Sequence, residues 1–199
     1  MCGVAAMEAG KRFNARAQAE GWSSTCDESL AFARLELRSL LSVWRGFAIG
    51  ERVPSCKDFT PRVLKSLLRN VAIYERVTNG KVRYRVKLMG TAFTDVMGDV
   101  SGKYLDEAMP KEFLPRWSAA LDSVLDAGMP LRFVAKSDTG KKAYLCGEFL
   151  GAPLLSDENS PTMVLAAAHF APPAPVEVQS GTRLRYLKPD RTAAAYAVL

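Results

Sequence analysis

The chain has 199 residues, with 27 Lys+Arg, 21 Asp+Glu and one His, for a formal charge of +6. That length holds one domain with arms or two very small domains, and 48% hydrophobic against 24% charged residues excludes wholesale disorder. The apolar-rich stretch Met163 to Phe170, which His169 interrupts, is far too short to span a membrane, so a soluble chain is expected.

Residues 1–26 carry Lys11, Arg12 and Arg16 but no apolar run, and read as a flexible, frayed arm and not a secretory leader. An amphipathic helix is expected over 27–48. Leu30, Leu37, Leu40, Leu41, Trp44 and Phe47 recur at three- and four-residue spacings, Asp27 and Glu28 suit its positive end, and Gly50 its stop. A turn-rich connection ends at Thr60-Pro61, the start of a short helix over 62–68. The period then changes to two. A strand over 71–76 meets Asn79-Gly80, a hairpin signal because both residues tolerate positive φ. The return strand, 82–88, alternates Val82, Tyr84, Val86 and Leu88 with Arg83, Arg85 and Lys87, one face buried and the other basic.

Thr91 is a candidate cap for a short helix over 92–97 that stops at Gly98. A turn at Ser101-Gly102-Lys103 and a break at Pro110 precede a longer helix, 115–127, whose apolar side carries Trp117, Leu121, Val124 and Leu125 after Phe113. Gly128 ends it. Three strands follow, over 131–137, 143–155 and 162–170, with turns at Asp138-Thr139-Gly140 and Ser156-Asp157-Glu158-Asn159. The remainder, 171–199, begins with a Pro-rich run and ends in a basic tail in which Arg183 to Lys188 could add a strand or docking segment.

Helices separate two antiparallel strand groups, so the fold class is α+β: a five-stranded antiparallel sheet, its first hairpin beside its last strand, with helices on one face and a flanking N-terminal helix. The domain spans 27–170. This order, with Trp44-Arg45-Gly46, Pro54-Ser55, Asp58-Phe59-Thr60-Pro61, Tyr84 through Thr91, Gly98, Ser101 through Asp106, and Glu148 through Leu154, resembles the PAS-like family typical of alphaproteobacteria. The resemblance implies a sensory or protein-interaction module, and it assigns no catalytic residue.

A PAS-type pocket would lie between sheet and helices, with Tyr84, Val86 and Leu88 opposite Met97, Phe113, Trp117 and Leu121. It would take a small apolar ligand, although such large side chains equally suit a solidly packed core. The cofactor is open. His169 ends a late strand and no His lies between 104 and 127, which disfavours haem, and Cys146 lacks the Asn-Cys-Arg context of a flavin-thiol photosensor. No metal site is assigned: Cys2, Cys26, Cys56 and Cys146 form no Cys-x-x-Cys pair and read as reduced thiols of a cytoplasmic protein. Glu148 is expected to pair with Arg83, Arg85 or Arg132 and not to act as a general acid.

The helix 27–48 offers a partner surface on Leu37, Leu41, Trp44 and Phe47, for a homodimer or another protein; the same residues could instead cover the sheet. Charge falls as +4 over residues 1–70, zero over 71–170 and +2 over 171–199. Excess charge in the flanks makes nucleic acid the less favoured partner. A non-catalytic regulatory module is the favoured function. A nucleic-acid-associated regulator using the basic flanks and a small-molecule enzyme in an α+β pocket are the alternatives.

Overall fold

The computed structural model describes residues 2–50, 52–135, 146–157 and 160–171. Its centre is a six-stranded antiparallel sheet in the order β1-β4-β5-β6-β2-β3. The strands are β1 (Ser24–Asp27), β2 (Val71–Asn79), β3 (Lys81–Met89), β4 (Leu131–Ala135), β5 (Cys146–Leu154) and β6 (Met163–Ala171). The first hairpin does pack beside the last strand: β2 runs antiparallel to β6 from Val71↔Ala167 to Glu75↔Met163. The helices are α1 (Cys2–Ala19), α2 (Leu35–Phe47), α3 (Pro61–Leu64), α4 (Thr91–Met97), α5 (Leu105–Ala108) and α6 (Leu114–Ala127).

Local signals land where chemistry requires them. The Thr60 hydroxyl accepts from the Val63 N–H at 3.4 Å and Pro61 opens α3. Gly80 turns the hairpin at φ 76°, alone, because Asn79 and Lys81 are already cross-strand partners. Gly128 closes α6 in the left-handed region. Gly90, and not Thr91, caps α4.

Two apolar layers flank the sheet. Residues at alternate strand positions, Tyr74, Val86, Phe133, Phe149 and Val164, face one layer with α1, α4 and α6; Ile73, Leu150, Leu154 and Leu165 face the other with α2. Both faces are therefore covered, where helices on one face plus a flanking helix were expected.

The N-terminus departs most from the sequence expectation. Residues read as a frayed arm form α1, which buries Ala6, Ala9, Phe13 and Ala17 against α6 and the sheet. Small residues hide this stripe from periodicity, since Ala contributes little apolar contrast. Asp27, expected to start the long helix, ends β1. The chain then turns through Leu30 at φ 52°, and the helix begins eight residues later than the Asp27 start, at Leu35. The 138–140 turn and the Arg183 to Lys188 segment lie outside the described residues, as does part of the 156–159 turn.

Candidate functional site

The expected pocket lies under α6. Its 3.6-residue period places Trp117, Leu121 and Val124 on the sheet, where Phe133 and Phe149 are direct cross-strand partners. Phe93 enters from α4. These groups leave a cavity of about 20 Å³, lined by Phe93, Trp117, Leu121, Val124, Phe133, Phe149 and neighbours. That is room for about one water molecule and far below the ~300 Å³ where small-molecule sites begin. Aromatic contacts account for the filling: Trp117 meets Phe149 edge-on at 6.2 Å between centroids and Tyr74 at 6.1 Å. The Trp117 indole N–H is buried with no hydrogen bond among the described residues.

Of the residues expected to line a pocket, Trp117 and Leu121 do so. Tyr84 and Val86 are buried in the same layer, away from the void, and the Tyr84 hydroxyl donates to Asp122 Oδ1 at 2.5 Å. Burial, and then the Asp122 carboxylate, push the phenol well above its ordinary pKa, so it stays protonated. Phe113 packs at the rim with the Arg116 guanidinium 5.5 Å from its ring centre. Burial lowers the Arg116 pKa to about 10. The Met97 side chain lies outside the described residues.

Leu88 is a correction. The β2–β3 register slips between Ile73, opposite Leu88, and Tyr74, opposite Val86, leaving Lys87 as the extra residue of a bulge. One extra residue reverses the alternation, so Leu88 joins the α2 layer and not the α6 layer. Phe93, Phe133 and Phe149 take the lining role instead. For the last two, the legible signal was period two on adjacent strands.

The opposite face holds α2. Leu37 (0% exposed), Leu41 (5%) and Trp44 (7%) are buried against Leu150, Leu154 and Leu165. They cover the chain's own sheet, the alternative that the sequence left open, and do not present a partner surface; of the four, Phe47 alone reaches solvent, while its ring meets Phe59 at 5.5 Å. Polar anchors hold both ends of α2. The Trp44 indole donates to the Pro153 carbonyl at 2.9 Å. At the other end the Glu148 carboxylate accepts from the backbone N–H groups of Ala33 (3.0 Å) and Arg34 (3.1 Å) and from Arg132 Nε (2.8 Å). Glu148 pairs with Arg132, one of the three arginines expected, and Arg132 also binds Asp27.

Several further titratable groups are tied into structure. On the basic strand, Arg83 binds Asp106 and Glu107, while Arg85 and Lys87 share Glu75. His169 sits cross-strand from Glu148; burial and Arg34 lower its pKa. Burial pushes the Cys26 thiol up to about 12 and raises Cys56, so both stay protonated. The side chains of Cys2 and Cys146 lie outside the described residues. Among the described residues no three His, Cys, Asp or Glu side chains gather as a metal would require, and no helix is long and apolar enough to cross a membrane.

A search of curated proteins finds no match. A family model for the PAS domain matches residues 34–168, which takes in α2 through most of β6 and leaves α1 and β1 outside it. The match covers more than half of the 199 residues, and the chain belongs to the PAS domain family.

Proposed function

We propose that this PAS domain is a non-catalytic regulatory module that works through contacts with a protein partner or a second copy of itself, in the cytoplasm, and not through a preformed interior ligand cavity. Family membership makes it a sensory or regulatory module in general terms. One observation carries the finer reading: the space under α6 is reduced to about 20 Å³ of apolar void. A sensor with a standing ligand site needs a cavity more than tenfold larger. Residues left facing outward support a contact role. Leu35 (67% exposed), Ile49 (76%) and Phe47 (37%) are large apolar side chains at the two ends of α2.

Native mass spectrometry of the purified chain tests this. The expected spectrum shows no retained small molecule, with self-association that weakens in Ile49→Ser. A stoichiometric organic ligand that survives purification would overturn the reading. The nucleic-acid alternative would use the basic flanks and gains nothing from the basic strand, where Arg83, Arg85 and Lys87 each already face a carboxylate. Salt-sensitive binding to a DNA or RNA duplex would restore it.

A further inference from the structure

The bulge that takes Leu88 out of the α6 layer also builds a groove. It has a volume of about 430 Å³ and is lined by Lys65, Leu68, Arg69, Leu88, Met89 and the Gly90-Thr91 backbone. Leu68 and Leu88 are half-buried on the α2 side of the sheet and form an apolar floor that Met89 borders, while Lys65 and Arg69 are exposed at the rim. Three features hold it in shape. The bulge aims Leu88 into it. Gly90 lets the end of β3 lie against the Leu68 and Arg69 carbonyls, where an added Cβ would collide with both oxygens. Lys65 adopts φ 35° and ψ −113°, a backbone conformation costly for a residue with a side chain.

Charge then selects the occupant. Between Phe59 and Tyr74 the chain has Arg62, Lys65 and Arg69 and no acidic residue. The ion pair that an opposing carboxylate makes there, Arg69 with Asp95, is 3.8 Å long and solvent-exposed on both sides. An apolar floor with an under-neutralised cationic rim complements a segment that is acidic with one large apolar side chain.

We infer that this groove docks an acidic segment of a partner protein, which seats a Leu-like side chain on Leu68 and Leu88 beside Met89 and places flanking carboxylates on Lys65 and Arg69. The inference rests on the contact-module reading above and names the chemistry of the contact. The test is an amide-shift titration by NMR of the full chain at low salt, with the blocked peptide Asp-Glu-Leu-Glu-Asp as probe. Saturable shifts are expected at Leu68, Arg69, Leu88, Met89 and Thr91. Affinity should fall about tenfold in the double variant Lys65→Glu, Arg69→Glu, since like charges then oppose the acidic probe. Both substitutions are at exposed positions, so the fold is retained, which circular dichroism checks. Replacing the probe's Leu by Ser should weaken it likewise. No shifts, equal binding of a Lys-for-acid probe, or equal binding by the double variant would overturn the inference. Shifts produced by decanoate and not by the peptide would also overturn it, by assigning the groove to an amphiphile. Failure here with self-association intact removes the groove and leaves the module reading standing.

Discussion

Arg132 and Glu148 meet across β4 and β5 with Arg132 Nε and Nη2 at 2.8 and 2.7 Å from the same carboxylate oxygen, and that carboxylate also receives the chain entering α2. Both side chains are largely withdrawn from water, at 17% and 11% exposure. The pair therefore couples the sheet to the placement of a helix, and its value lies in being complete. Glu148→Gln keeps one acceptor oxygen and leaves Arg132 with Asp27 alone. A loss of about 3 kcal/mol is expected from breaking a largely buried pair, read from the urea midpoint. A change below about 0.5 kcal/mol, the range of ordinary surface substitutions, would show that the anchor is dispensable.

Gly90 is expected to be intolerant of any side chain. Its φ of −74° suits every residue, so the constraint is space and not conformation. A Cβ there strikes backbone oxygens, which cannot rotate away as a side chain would. Gly90→Ala should destabilise the fold by about 3 kcal/mol. At exposed Gly46, with nothing near its Cβ, the same change should be neutral or stabilising. Equal effects at the two positions would contradict the close approach.

The filled layer under α6 makes its own prediction. Leu121→Ala enlarges the existing void and should cost about 3 kcal/mol. Benzene should then raise the melting temperature of the variant and leave that of the wild type unchanged, because only the variant holds an apolar cavity of ligand size. Stabilisation of the wild type by benzene would indicate a larger interior space.

Acid should act in two stages. His169, the chain's single imidazole, is held below its ordinary 6.5 by burial and by Arg34. The unfolded chain takes up that proton more readily, so its contribution is complete above about pH 6.5 and is lost as pH falls through the lowered native value. Asp27 and Asp99 are held low by backbone N–H groups of Ser29 and Ser101, and Asp106 and Glu107 by Arg83. Their contribution persists down to about pH 4 and disappears below it. Urea midpoints from pH 8 to pH 3 should show both limbs. His169→Gln should flatten only the upper one, and an unchanged upper limb would assign it to another group.

Asn14 closes the outer edge of the sheet. Its amide accepts from the Cys26 N–H at 2.7 Å and donates to the Cys26 carbonyl at 3.0 Å, completing β1 from the side of α1. Asn14→Ala leaves both backbone groups open and should cost about 1–2 kcal/mol. Hydrogen exchange should quicken at Cys26 while the central strands β5 and β6 stay protected. Unaltered exchange at Cys26 would remove Asn14 from this role.

The elements that the sequence determined are those whose cause is local. Tyr84 and Val86 alternate with Arg83 and Arg85, Thr60-Pro61 opens a helix, and Gly80 and Gly128 turn where positive φ is needed. Each depends on a few neighbouring residues, so spacing alone reveals it. The α+β class and the pairing of the first hairpin with the last strand follow from the order of such elements. Tertiary structure decided the rest. Leu37, Leu41 and Trp44 form the same apolar stripe whether they cover a sheet or a partner; only the packing of α2 against β5 and β6 makes them core. A stripe built largely of Ala became α1 because α6 and Phe133 gave Phe13 a place to bury. Leu88 changed layers because a bulge depends on two strands at once. The groove beside it combines β3 with the segment after α3, positions separated in sequence and joined only by the fold. Periodicity specifies which side of an element is apolar, and the surface that meets that side is set by the whole chain.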